Sequence, residues 1–454
     1  MTGTSSERAP VRVAVLGCGH VGRALVELLT EPARAEEITL RSGVAFEVVG
    51  IAVRDLARQR SEAPWFPHRV LTDDAKGLVE RDDVDVVVEL IGGLDPARDL
   101  VEAALRAGRP VVTANKVLLA AAGRELGELA EANGVDLLYE ASVAGAIPVI
   151  RPLRESLAGE RIVRVMGIVN GTTNFILSRM SEDGIDYADA LAEAQRLGLA
   201  EADPAADVEG LDAAAKAAIL AGLAFGCDVV AADVHHEGIT GVRAIDVTFA
   251  ARMGYAIKLL AVAELLDGPA GEEVSVRVHP TMIGTSHPLA TVGGAFNAVF
   301  VEGEISGELM LYGHGAGGRP TAGAVLGDLI DAARHRHDGT AAPPPSRRVP
   351  VRFAPVEDLR SAFYLNVDVV DRAGVLAAVA GVFGNHGVSI RSMEQVGLGD
   401  EAEARLVFLT HEARQGDVAA TIDDLRHLPE VHRVGAVLRV MGPDFQPGYP
   451  EAEA

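Results

Sequence analysis

Residues Val11–Leu29 read VRVAVLGCGHVGRALVELL, and the order of their three parts decides the fold. A short apolar run, Val11 to Leu16, enters Gly17-Cys18-Gly19-His20-Val21-Gly22, and the residues that follow space their apolar positions as a helix does. Strand, glycine turn and helix form the opening of a dinucleotide-binding fold. The glycines let the backbone turn tightly, approach a pyrophosphate and pack helix on strand, while the helix N-terminus favours the phosphate charge. Gly17, Gly19, His20, Val21 and Gly22 are therefore expected at a cofactor.

The alternation continues down the chain. Phe46 to Val53 reads as a second strand and ends at Arg54, where such a fold meets the adenosine ribose. An acid there bonds the 2′-hydroxyl, whereas a guanidinium suits a 2′-phosphate, so Arg54 favours NADP over NAD. The adjacent Asp55 keeps NAD open, and Arg54 as a plain surface residue would favour neither. Further strands at Val84–Glu89, Pro110–Thr113 and Val135–Tyr139, with helical stretches between them, predict a parallel doubly wound sheet over residues 10–150. Lys116 follows the carboxyl end of one strand, where these sheets bind ligands; it either solvates its loop or faces the cofactor crevice.

Composition narrows the class. A chain of 454 residues holds about three domains at ~150 residues each. Its formal net charge of −24 disfavours nucleic acid and anionic membrane surfaces, so the expected partners are small molecules and copies of itself. Cys18 and Cys227 lie far apart and indicate neither a disulfide framework nor a zinc site. The N-terminal residues are polar, and no apolar run approaches the ~20 residues of a membrane span, which predicts a cytoplasmic enzyme.

The densest chemistry lies at Ala194–Lys216, AQRLGLAEADPAADVEGLDAAAK. One helix ends near Gly198, an acidic loop is broken by Pro204, and a second helix starts at about Leu211. Asp212 and Lys216 are four residues apart and leave one face of that helix, and Glu201, Asp203 and Asp207 are placed to converge on the same lysine. An ammonium held among carboxylates suits a proton donor to a carbonyl oxygen. The plainer reading is a solvated loop with one surface ion pair worth ~0.5 kcal/mol.

Ala194, Gly198, Asp203-Pro204, Asp207, Gly210, Asp212 and Lys216, at these spacings, resemble the signature of the homoserine dehydrogenase family, whose members interconvert aspartate 4-semialdehyde and homoserine. The resemblance runs from the glycine loop to the C-terminal module. It implies that Lys216 is the first proton donor and Lys116 the second, that Asp207 orients Lys216, and that Glu201 and Asp212 hold the amino and hydroxyl ends of the substrate. Free lysine titrates at ~10.4, so either lysine is protonated at neutral pH, and homoserine oxidation should favour alkaline conditions. The Gly171-Thr172 turn after the strand Ile162–Val169 resembles the family's contact with the amino-acid end of the substrate. The small-residue turn from Glu140 to Pro148 is on its own a chain reversal; by resemblance it is a sodium loop with Glu140, Val143, Gly145 and Ile147 as ligands, mostly through main-chain oxygens. Gly317, in the glycine-rich entry to a helix over Ala322–Arg334, resembles the stretch that returns to the nucleotide domain (residues 315–335).

The substrate domain is expected to be α+β and to span residues 151–338. His335-Arg336-His337 and Ala341–Ser346 read as part of a linker, centred on residues 339–355. Beyond it, over residues 356–441, elements in the order βαββαβ predict a ferredoxin-like sandwich, and Asp371–Leu376 resembles the strand-to-helix turn of ACT domains. That resemblance implies amino-acid binding, with threonine as feedback ligand, and assembly into a homodimer or homotetramer; the alternative is a module used for assembly alone. The tail at residues 442–454 is expected to be disordered. Two rivals fit parts of the sequence. Aspartate semialdehyde dehydrogenase shares the nucleotide fold but needs a thiolate for which neither cysteine is placed, and an amino-acid sensor would carry an inactive dehydrogenase core.

Overall fold

A computed structural model describes residues 9–62, 68–268, 271–342, 351–397 and 403–441. The chain divides into two units, Met1–Ile162 with Ala218–Ala231 and Gly303–Pro350, and Val163–Ala217 with Ala232–Glu302 and Val351–Ala454.

The first unit is built on strands β1 (Val11–Leu16), β2 (Phe46–Ala52), β3 (Leu71–Thr72), β4 (Val86–Glu89), β5 (Val111–Thr113) and β6 (Leu137–Leu138). They lie in the order β3-β2-β1-β4-β5-β6, and every pairing is parallel. This is the doubly wound dinucleotide-binding topology, with its reversal of direction between β1 and β4. The strands are near-continuous apolar runs because a parallel sheet is covered on both faces; Val13, Val15, Val86 and Val88 are fully buried. The helix His20–Thr30 packs Leu25, Val26 and Leu29 into this core, and the helix Gly318–Asp338 adds Ala322, Val325 and Leu329 from near the other end of the chain.

That second helix runs further than its apolar spacing suggested. His335, Arg336 and His337 form its last turn instead of opening a linker, and Gly339 (φ 65°) ends it in the left-handed conformation. The cause is electrostatic: basic side chains suit a helix C-terminus, and here they also meet acids, with His335 Nδ1 2.8 Å from Asp136 and Arg336 2.8 Å from Asp85. The proline-rich stretch beyond Ala342 and the tail after Met441 lie outside the described residues.

The second unit is organised by one mixed sheet. Its strands follow the order Phe296–Gly303, Ile162–Ile168, Tyr255–Gly268, Gly271–Gly284, Val431–Met441, Arg360–Val370, Glu403–Thr410, Ile390–Gly397. The last four, with helices Val375–Asn385 and Gln415–His427, have the βαββαβ order and enclose a core of Phe363, Leu365, Val379, Phe383, Phe408 and Leu425. This module is joined to the rest of the unit by hydrogen-bonded strands, Thr281 to Ile283 pairing in parallel with Arg439 to Met441. Among the described residues no helix is long and apolar enough to cross a membrane.

A second tie crosses the face of the module's sheet. Asp246, in the helix Ala244–Arg252, is completely buried and accepts hydrogen bonds from Tyr364 Oη (2.9 Å), Asn366 Nδ2 (2.6 Å) and the Arg243 amide (2.9 Å). Burial pushes its carboxyl up and the hydrogen bonds oppose that. Asp246→Ala leaves three donors without an acceptor at roughly 1 kcal/mol each, so denaturant unfolding of the full chain should show a loss of about 3 kcal/mol. An unchanged midpoint would mean that this cluster does not hold the module.

Candidate active site

The first unit presents the glycine turn as a socket for an anion. Gly17 has φ +95° and a Cβ on it would lie 2.6 Å from the Leu90 carbonyl oxygen; one on Gly22 would lie 2.3 Å from the Gly17 carbonyl oxygen. Both positions require glycine for the fold itself. Gly19 differs: a Cβ there meets nothing within 4 Å, so its glycine leaves space free in front of the helix. Gly19 and His20 are exposed, Val21 is half-buried, and no side chain caps the first turn of the helix. Its amides are thus available to a phosphate. A second uncapped helix start comes to the same place, with Gly317 (φ +117°) as N-cap and Gly318 so close to the His20 carbonyl oxygen that a Cβ would lie 2.9 Å away. Arg54 is exposed just past the end of β2.

Lys116 is the first residue of the helix Lys116–Ala132, and a buried network fixes it there. Glu89, completely buried at the end of β4, accepts from the amides of Ile91 (2.7 Å) and Gly92 (3.1 Å) and from the Thr113 hydroxyl (2.6 Å). Thr113 Oγ1 in turn accepts from the Asn115 amide (3.0 Å). Asn115 caps the helix through Leu118 N (3.1 Å) and donates to Gly93 O (2.7 Å). The sequence signal for Glu89 is an acid closing an otherwise apolar strand.

The turn after β6 makes two consecutive left-handed steps, Ala144 (φ 55°) and Gly145 (φ 57°), in buried surroundings. A Cβ on Gly145 would lie 2.5 Å from the Gly315 carbonyl oxygen. The Glu140 carboxylate is spent on the chain itself, accepting from the amides of Val149 (2.6 Å), Ile150 (2.7 Å) and Arg151 (2.9 Å). The bonds closing the turn use the carbonyls of Ala144 and His314. Among the described residues no group of three or more His, Cys, Asp or Glu side chains could hold a metal ion. A cation here would depend on carbonyl oxygens such as those of Val143, Gly145 and Ile147, the donor set of a hard ion.

The second unit carries the acidic segment. Gly210 (φ +84°) turns the chain into the helix Leu211–Phe225, and Lys216 is only 8% exposed on it. Its Nζ donates to Asp212 Oδ2 and to the Val169 carbonyl oxygen, both at 2.6 Å. Asn170 holds the acids in place: its Nδ2 donates to Asp207 Oδ1 (2.7 Å) and Asp212 Oδ2 (2.9 Å), while its Oδ1 accepts from Thr173 N (2.9 Å) to cap the helix Gly171–Asp183. Thr172 donates to Leu199 O at 2.7 Å, and a Cβ on Gly171 would lie 2.8 Å from Ala295 O. The solvated-loop alternative does not describe this arrangement, because the ion pair is buried and a third residue orients it.

Not every acid converges. Glu201 is exposed, with its backbone carbonyl taken by Gln195, and Asp203 turns back to cap Ala205 N at 3.1 Å. Asp212 directly, and Asp207 through Asn170, are brought to the lysine. Beyond capping its own helix, Asn170 depends for this function on partners 37 and 42 residues away.

Comparison with known proteins assigns the parts of the chain to families. Residues 17–140 match the family profile described as homoserine dehydrogenase, NAD binding domain; residues 148–330 match that of homoserine dehydrogenase, and residues 363–430 that of the ACT domain. A homoserine dehydrogenase of Corynebacterium glutamicum is 50% identical over 432 residues, 95% of each chain. Among solved structures, a homoserine dehydrogenase from Thiobacillus denitrificans superposes with a TM-score of 0.87 at 41% identity, covering 95% of this chain and 98% of its own. A hyperthermophilic archaeal homoserine dehydrogenase in complex with NADPH aligns with a TM-score of 0.59 at 31% identity, covering 71% of this chain and 98% of its own. Identity of one residue in two along nearly the whole of both chains exceeds what a shared fold requires, and the chain belongs to the homoserine dehydrogenase family.

Proposed function

We propose that this chain is an NADP-preferring homoserine dehydrogenase. It interconverts L-aspartate 4-semialdehyde and L-homoserine in the cytoplasm, on the route to threonine, methionine and isoleucine. The observation that carries the reading is the buried Lys216–Asp212 pair held by Asn170. A bound nicotinamide supplies the hydride that reduces the aldehyde carbon. Lys216 gives a proton to the oxygen that becomes the hydroxyl, and its bonds to Asp212 and Val169 O fix where that proton is offered. Asp207 and Asn170 orient the pair. Glu201 and Asp212 take the amino and hydroxyl ends of the substrate, Gly171 and Thr172 complete its amino-acid end, and Lys116 is the second proton-transfer group.

Arg54, exposed at the end of β2, is the expected partner of a 2′-phosphate, and the NADPH complex of the archaeal relative supports the same cofactor. Gly17, Gly19, His20, Val21, Gly22 and Gly317 line the phosphate socket. Sodium at the Ala144–Gly145 turn is favoured by the carbonyl donor set there, with Glu140 shaping the turn through its carboxylate. The thiolate chemistry of aspartate semialdehyde dehydrogenase is disfavoured, because burial pushes the Cys18 thiol up to about 11 and Cys227 is buried. Threonine is the expected ligand of the ACT module. The strand Ile390–Gly397, which ends the module's sheet, offers an edge for pairing in a homodimer or homotetramer.

NADPH oxidation on adding aspartate 4-semialdehyde tests the central reading, and no turnover by a folded chain with either nicotinamide cofactor would overturn it. Lys216→Ala should lower kcat by about 10²- to 10⁴-fold; wild-type turnover would remove Lys216 from the mechanism. Gly19→Ala should fold as the parent does yet raise KM for NADPH, whereas Gly17→Ala should unfold at lower temperature; melting curves beside cofactor titrations separate the two. Threonine should suppress turnover, and a rate indifferent to it would limit the module to assembly.

A further inference from the structure

Arg439 lies in the last strand of the ACT module and is only 6% exposed. Its guanidinium makes a bidentate pair with Glu237, Nη1 donating to Oε2 at 2.8 Å and Nη2 to Oε1 at 2.6 Å. Its Nε donates to Gln415 Oε1 at 3.0 Å, at the first residue of the module's second helix. Arg439 therefore reports both a strand and a helix of the module to one carboxylate. His235 Nε2 also lies 2.8 Å from Glu237. Burial pushes the Glu237 carboxyl up, but hydrogen bonds from His235 and Arg439 outweigh it and hold the group down to about 2.

On its other side Glu237 is locked to the acidic turn. Ile239 N donates to Val208 O at 2.8 Å, and Glu237 N to Val278 O at 2.8 Å. A Cβ on Gly238 would lie 2.3 Å from Val208 O and 2.6 Å from the Glu209 Cα, and one on Gly210 would lie 3.2 Å from Glu237 O. Residues 237–239 and 208–210 thus pack backbone on backbone, with the Glu209 carboxylate beside Gly238. The residues flanking 208–210 are Asp207 on one side and the start of the Lys216 helix on the other.

We propose that the Glu237–Arg439 pair is a positioning link: it carries the placement of the ACT module to the acidic turn and so sets the alignment of Asp207, Asp212 and Lys216. The inference deepens the proposed function and rests on Lys216 as proton donor. Neither residue of the link touches the reacting atoms. Its effect is on where the turn sits, through contiguous packing that a shift of the module would move.

The test uses the full chain with Glu237→Gln, Arg439→Gln and the double substitution. Amide hydrogen exchange over residues 205–216 reads the turn independently of catalysis. Steady-state kinetics gives KM for aspartate 4-semialdehyde and for NADPH. Each single substitution should speed exchange at 207–212 about tenfold and raise KM for the aldehyde by about tenfold, with KM for NADPH unchanged. The double variant should be no worse than the worse single, because the two changes break one link. Should Arg439→Gln fail to fold, Arg439→Lys keeps the charge, loses the fork and should fall between. Parental exchange and KM in the single variants, additive effects in the double, or an equal rise in both KM values would overturn the proposal. Turnover retained by Lys216→Ala would instead defeat the proton-donor reading and leave the exchange result standing, so the two failures are distinct.

Discussion

An ammonium taken out of water must be matched by oxygen, and the second unit is arranged around that demand at Lys216. The carboxylate of Asp212 meets it from one turn back on the same helix, and the Val169 carbonyl meets it from the end of a strand. Asp212 then has to be held against its own freedom, which Asn170 does while also capping the next helix. A buried ion pair of this kind adds little net stability. Its value is that the charge has one position, set by a strand end, a helix start and a glycine turn together.

The first unit solves the complementary problem, offering backbone amides to negative charge. Two uncapped helix starts come together at His20 and Gly318, and the space in front of Gly19 is left open. Partial charges on amides are fixed by the fold and need no reorganisation when an anion arrives. Glu89 shows the cost of shaping such a site: a fully buried carboxylate is retained at a strand end so that two turns stay where the sheet leaves them.

Much of this was legible in the sequence, and the parts that were not share a physical cause. Gly17 and Gly22 stand where any side chain would strike backbone, so the glycine turn announces itself. Asp212 and Lys216 are four apart on a helix, a spacing local enough to read. The two-residue strand Leu71–Thr72 is too short to carry a period. The bonds of Thr113 to Glu89 and of Asn170 to Asp207 and Asp212 span 24, 37 and 42 residues, and no local pattern encodes them. The acidic loop illustrates the limit: composition says that the region is charged, but which acids turn inward depends on Asn170, so Asp203 was expected at a lysine and instead caps its own turn. The last turn of the helix Gly318–Asp338 is another case, its basic residues drawn to Asp85 and Asp136 from far earlier in the chain.

The parallel pairing of Val431–Met441 with Gly271–Gly284 bears on how such a chain can change over evolutionary time. A module tethered by a linker can be gained or lost as a unit, since nothing else depends on its edges. Here the module's final strand serves as the neighbour of a strand in the preceding domain, and each covers backbone that would otherwise be open to association with foreign strands. Deleting the module therefore also creates a solubility problem, and a lineage that sheds it must shield the uncovered edge at the same time.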